Sequence, residues 1–220
     1  MPEVVTVLEW IGKAEGGPAF SGRSNEIADE GWGGEMSKEL ESVLPEILWV
    51  KDENLRGSVK KSYADALTSG GWGLEDMEKI PFTLLIPQCP ISYLAHVRAV
   101  TRMCHAVWKE FKEMYQGRDV PILDHDILIA GALLHDLGKL VESTRTADGK
   151  YVKSAMGKDL RHPFSGTVIA MRNGVPSKIA HTIAYHAKEG DETLRSPEAV
   201  IINKVDILNF EALKSHRGMI

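Results

Sequence analysis

Cysteine is scarce: the 220 residues contain two, Cys89 and Cys104, and neither belongs to a CxxC pair. That excludes a disulfide framework and reads as two reduced thiols, as is usual in the cytoplasm. A basic surplus is also missing. The formal charge of −5 argues against a general nucleic-acid binder. No apolar run approaches the ~18 residues a membrane span needs, and MPEVVTVLEW lacks the basic start of a signal peptide. What remains is an expectation of a soluble, cytoplasmic protein. With 43% apolar residues it can bury one large domain, or one domain plus an extension.

The first 88 residues say little. Val4–Ile11 reads as a short helix or strand, ended by Gly16-Gly17-Pro18, and residues 16–34 are glycine-rich loop. Leu40, Val43, Leu44, Ile47 and Leu48 predict a helix over 36–50, with Pro45 kinking or restarting it. A lysine-rich helix is expected over 58–67, closed by Gly70-Gly71. The tripeptide Gly-Trp-Gly occurs at 31–33 and at 71–73. Two copies do not make a repeat architecture, so Trp32 and Trp72 read as packing anchors beside glycine turns.

From Pro87 onward the texture is helical. Ser92 is placed to cap a helix reaching about Tyr115, on which His96, Val100, Met103 and Val107 share an apolar stripe. His105 lies on its opposite side. Gly117 to Pro121 reads as a turn. Asp124 caps a helix expected over 125–137, whose end carries Leu133-Leu134-His135-Asp136-Leu137-Gly138-Lys139. A buried imidazole beside a buried carboxylate is costly unless something pairs with them, and a metal ion does so well. His125-Asp126 repeats the dipeptide in the first turn, where an acidic group suits the helix dipole unaided.

Asp148-Gly149 suggests a hairpin between 141–146 and 150–154. Lys153, Lys158 and Arg161 form a basic cluster that reads as solvated loop or as a rim for an anionic substrate. His162-Pro163 opens a helix ending at Asn173-Gly174, and Ser177 is expected to cap the next, over 178–187. On it Ile179, Ile183 and His186 share a face, while His181 points elsewhere. Ser196-Pro197 starts a last helix of about 15 residues, with Asp206 among apolar neighbours. His96, His135, Asp136, His162, His186 and Asp206 thus come from five successive segments, each near a buried face, as in metal sites of helical bundles.

The order His … His-Asp … His … His … Asp, with LLHDLGK, HPFSG at 162–166 and VDIL at 205–208, resembles the HD-domain superfamily of metal-dependent phosphohydrolases. The resemblance spans roughly 90–210. It implies a mostly α HD-domain helical bundle over 89–220, with a small β-hairpin, and an N-terminal extension over 1–88 of unassigned role. It also implies a metal site of His96, His135, Asp136 and Asp206. In the two-metal subgroup, His162 and His186 hold a second ion and Asp136 bridges; His181 is the weaker substitute for His186.

What the resemblance implies chemically is a hydrolase. Two divalent ions, iron, manganese, zinc or magnesium, would activate water against a small phosphate ester, nucleotide-like or another phosphorylated metabolite. Asp136 and Lys139 would be catalytic, and Lys139, Lys158 and Arg161 would bind the anionic substrate. As an ordinary lysine, Lys139 would merely suit a helix C-terminus. Two alternatives use the same residues: a mixed-valence di-iron oxygenase of the inositol oxygenase type, and a sensing module with an idle site. No Gly-Tyr-Pro signature of the cyclic-dinucleotide branch follows the motif. A nucleotidyltransferase or synthetase domain is not expected, and neither a nucleic-acid nor a membrane partner is. Oligomer formation is left open.

Overall fold

A computed structural model describes residues 34–120 and 123–220, and these are mostly α-helical. The expectations for Val4–Ile11, for the glycines of 16–33 and for Trp32 lie outside the described residues, as does the end of the turn at Pro121.

Helix α1 (Gly34–Val43) stops where Pro45 opens a separate 3-10 turn, Pro45–Trp49, so the segment expected as one helix is two. Proline has no N–H to continue the ladder. Helix α2 (Glu53–Gly70) is longer at both ends than expected. The Asp52 side chain accepts the Leu55 N–H, and Gly71 leaves the helix at φ +71°. A 3-10 turn, Leu74–Glu78, precedes α3 (Tyr93–Met114), whose cap is Ser92 as the sequence suggests.

Helix α4 (His125–Leu134) is capped by Asp124, whose carboxylate accepts the N–H groups of Asp126 and Ile127. It ends three residues earlier than expected, and α5 (Lys139–Glu142) follows after a turn. Strands β1 (Ser143–Arg145) and β2 (Tyr151–Lys153) pair antiparallel, with Ser143 opposite Lys153. The expected hairpin is there, in shorter form. Then come α6 (Ala155–Asp159), α7 (His162–Arg172), α8 (Ser177–Tyr185), a 3-10 turn at Lys188–Gly190, and α9 (Pro197–His216). Ser177 proves to be the first helical residue of α8, with Pro176 in the cap position and no side-chain cap. Ser196 does cap α9, which runs 20 residues rather than 15.

The main core joins Leu40, Ile47, Tyr63 and Leu67 to Val97, Leu133, Leu137 and Ile183. Packing of the described residues is therefore continuous across residue 88, where the resemblance begins. A smaller cluster of Val100, Cys104, Leu128, Ala132 and Ile202 ties α3, α4 and α9 together. Trp72 packs against the core and donates its indole N–H to the Leu140 carbonyl at 2.6 Å. The buried face of α3 is centred roughly 80° round from His96. His96 thus sits at its edge, Cys104 is buried, and Met103, expected inside, is 41% exposed.

Two glycine contacts set the distances that matter. A methyl group on Gly131 would lie 2.3 Å from Thr182 Oγ1, so α4 and α8 approach closely. One on Gly138 would lie 2.1 Å from the His162 carbonyl oxygen, and Gly166 faces Gly138 in turn. The glycine of HDLGK and that of HPFSG therefore press the turn after α4 against the start of α7.

Candidate metal centre

Because α4 ends at Leu134, His135 takes its C-cap position and Asp136 falls in the turn. Both are fully buried. The carbonyls of a last helical turn lack helical partners, and His135 Nδ1 donates to one of them, Ala132 O, at 2.7 Å. His186 does the same at the end of α8, donating from Nδ1 to Ile183 O at 2.7 Å. Asn203 adds a bond from its amide to the His186 carbonyl at 2.6 Å. His162, the first residue of α7, donates from Nδ1 to Glu142 Oε2 at 2.8 Å.

The six residues singled out from sequence converge. His96 Nε2 stands 3.2 Å from His135 Nε2, 3.2 Å from Asp136 Oδ2 and 3.1 Å from Asp206 Oδ1. On the other side of the same carboxylate, Asp136 Oδ1 lies 3.4 Å from His162 Nε2 and 3.6 Å from His186 Nε2. Those two nitrogens are 3.2 Å apart. Two groups of potential ligand atoms result, each spanning no more than 4.8 Å, with Asp136 common to both.

A carbonyl or carboxylate oxygen can only accept, so Nδ1 of His135, His162 and His186 carries the hydrogen and Nε2 presents a lone pair. Two lone pairs then face each other at 3.2 Å between His162 and His186. Asp136 Oδ1 beside them is buried and has no hydrogen-bond partner among the described residues. Converging acceptors with no donor among them are unfavourable until a cation enters. The nitrogen and oxygen donor set suits zinc, manganese or iron. The residues fit a metal.

Electrostatics point the same way. Burial alone would raise the Asp136 pKa, but the Lys139 ammonium outweighs it and holds the carboxyl well below its usual range. Lys139 Nζ donates to Asp136 Oδ2 at 2.6 Å. Burial likewise works against ionised Asp206, and the bond to His96 wins, lowering its pKa. For His96 burial favours the neutral ring, yet Asp136 and Asp206 together raise its pKa. For His162 burial prevails over the Glu142 carboxylate and takes the imidazole down to about 4. It stays neutral at pH 7, as a metal ligand must.

A cavity of about 540 Å³ opens onto this centre, with Lys139, His162 and Asp206 in its wall. Lys139 and Arg161, both expected at a substrate, line it; Lys158, expected with them, is exposed and outside the lining. Lys153 stands in the lining instead, paired with Glu142 at 2.9 Å. Arg161 pairs with Glu189 at 3.0 Å. His181 is turned away, accepting the Ser196 N–H at 3.0 Å. His105 packs between Trp49 and Trp108, apart from the centre.

Sequence reasoning missed Glu142 and Phe82. Glu142 orients His162 and is itself held down to about 2: burial raises its pKa, and His162 and Lys153 overcome that. Its only trace in the sequence is an acid directly after the apolar Leu140-Val141. The Phe82 ring stacks on His96 at 4.3 Å and shields it, and nothing in its loop sequence announces that.

A family model described as HD domain matches residues 93–210. No curated protein and no solved structure matches the chain. Among the described residues no helix is long and apolar enough to cross a membrane.

Proposed function

Since the chain belongs to the HD domain family, we propose that it is a metal-dependent phosphohydrolase cleaving a small phosphate ester. One observation carries this reading. The Asp136 carboxylate turns Oδ2 to His96 and His135, and its unpartnered Oδ1 to His162 and His186. That is the placement of a bridging ligand. His96, His135, Asp136 and Asp206 would hold one divalent cation, and Asp136, His162 and His186 a second.

Bound there, two divalent ions would lower the pKa of a shared water and neutralise phosphoryl oxygens. The chain's own residues supply the rest. The carbonyls of Ala132 and Ile183 fix two imidazoles in the tautomer that leaves Nε2 free. Glu142 does this for His162. Lys139 anchors the Asp136 carboxylate and places an ammonium at the cavity wall, where it would meet a phosphate oxygen. Phe82 keeps bulk water off His96.

The test is elemental analysis of protein purified without chelator, followed by phosphate release from a panel of phosphorylated metabolites with manganese, iron, zinc or magnesium added. Two ions per chain and release of phosphate are expected. A single ion unaffected by His162→Ala would remove the second site. Tightly held iron with oxygen uptake and no phosphate release would replace hydrolysis by the oxygenase chemistry of the inositol oxygenase type.

A further inference from the structure

The cavity has two unlike walls. With His162 the lining includes Lys153, paired with Glu142, Arg161, paired with Glu189, and Lys188. Beside His96 the lining is mainly aromatic, with the Lys139 ammonium 5.4 Å from the Phe82 ring centre. Phe82 stacks on His96, and Phe210, one turn after Asp206 on α9, meets Phe82 edge-on at 6.4 Å. Pro81, Leu84, Leu85 and Ile207 complete that wall.

Leu85 is 72% exposed at the cavity wall, although apolar side chains gain by leaving water. Several of the hydrogen-bonding groups nearby are engaged. Thr83 Oγ1 accepts the Leu85 N–H at 3.2 Å, Asp191 pairs with Arg195 at 2.8 Å, and Glu142 is held by Lys153 and His162. A sugar or a nucleobase edge would need polar groups to read it, and such sites discriminate through them. Among the described residues, that wall offers the Thr83 hydroxyl hydrogen and the exposed Glu211.

Resting on the phosphate-ester reading, we infer that the substrate is amphipathic: a phosphate monoester whose alcohol is an alkyl or aryl group seated against Phe82, Phe210 and Leu85. Its phosphate faces Lys139 and the cationic wall. A cavity of about 540 Å³ is ample for such a molecule.

Binding of methyl- to hexylphosphonate, which water does not cleave, tests this by calorimetry on manganese-loaded protein. Each methylene that leaves water strengthens binding about fourfold, so hexylphosphonate should bind at least about tenfold tighter than methylphosphonate. Phe210→Ala, and independently the surface change Leu85→Ser, should each cut that ratio about threefold or more. A ratio near one overturns the inference, as does a ratio that survives both substitutions. If no ester releases phosphate while the ratio holds, the hydrolase reading falls and the apolar subsite stands. If phosphate is released and the ratio is flat, the reverse follows.

Discussion

Two His-Asp pairs sit at opposite ends of α4, ten residues apart. At the N-terminal end the Asp126 carboxylate accepts the backbone N–H groups of Lys51 at 3.0 Å and Asp52 at 2.8 Å, and its own neighbour His125 at 2.9 Å. At the C-terminal end Asp136 is fully buried, has one oxygen without a partner, and faces four imidazoles. The first pair ties α4 to the turn before α2. The second is left incomplete by the chain itself. A carboxylate with its acceptors satisfied is structure, and one with a buried oxygen left without a donor could hold a cation.

The comparison breaks most visibly by substitution of the two aspartates. Asp136→Ala should empty the centre of metal and lower phosphate release by about 10³-fold or more, whereas Asp126→Ala should change neither; metal content and initial rates decide. Next comes Lys139→Met, which removes the ammonium that pairs Asp136 Oδ2. Metal should stay bound while kcat/KM falls by about 10²-fold. Glu142→Gln leaves an acceptor for His162 Nδ1 but no charge. It should weaken metal affinity by about 10- to 100-fold, read by competition with a chelating dye.

The structural pair gives smaller numbers. Asp126→Ala leaves two N–H groups without their acceptor and should cost about 1 kcal/mol in urea denaturation. Its pH signature sharpens the contrast. Burial raises the Asp126 pKa, but His125 and the N–H groups of Asp52 and Lys51 bring it below its ordinary 3.8. A depressed carboxyl stabilises the fold above its unfolded pKa and loses that contribution as pH falls through the folded value. The melting temperature of metal-free protein should therefore drop below pH 3.8, less steeply in Asp126→Asn than in the parent chain.

Much of the helical framework was legible beforehand. The sequence marks Ser92, Asp124 and Ser196 as caps, and each accepts an N–H from the turn it starts. Capping is chemistry within three residues and so is legible locally, although Ser177, which the sequence also offers as a cap, lies one residue inside α8. Helix ends were less legible. Nothing local announces that α4 stops at Leu134, because the turn that follows is held by Gly138 against α7. Spacing alone puts Met103 inside, yet spacing fixes only which residues share a face and not where the buried arc is centred. Nearness in sequence groups Lys158 with Lys153 and Arg161. The fold sends Lys158 to solvent and draws Lys153 in through Glu142.

By itself the sequence determined a mostly helical chain, where several of its helices begin, and the donor atoms available for a cation. Those follow from short-range periodicity and hydrogen bonding. Tertiary structure alone decided that Glu142 orients His162, that Phe82 covers His96, and that Phe82 and Phe210 line the cavity together with Lys139. The physical reason is convergence. A ligand set drawn from five segments forms only when backbones approach as closely as α4 and α8 do at Gly131, and as the turn and α7 do at Gly138, and such approaches depend on every helix packed behind them.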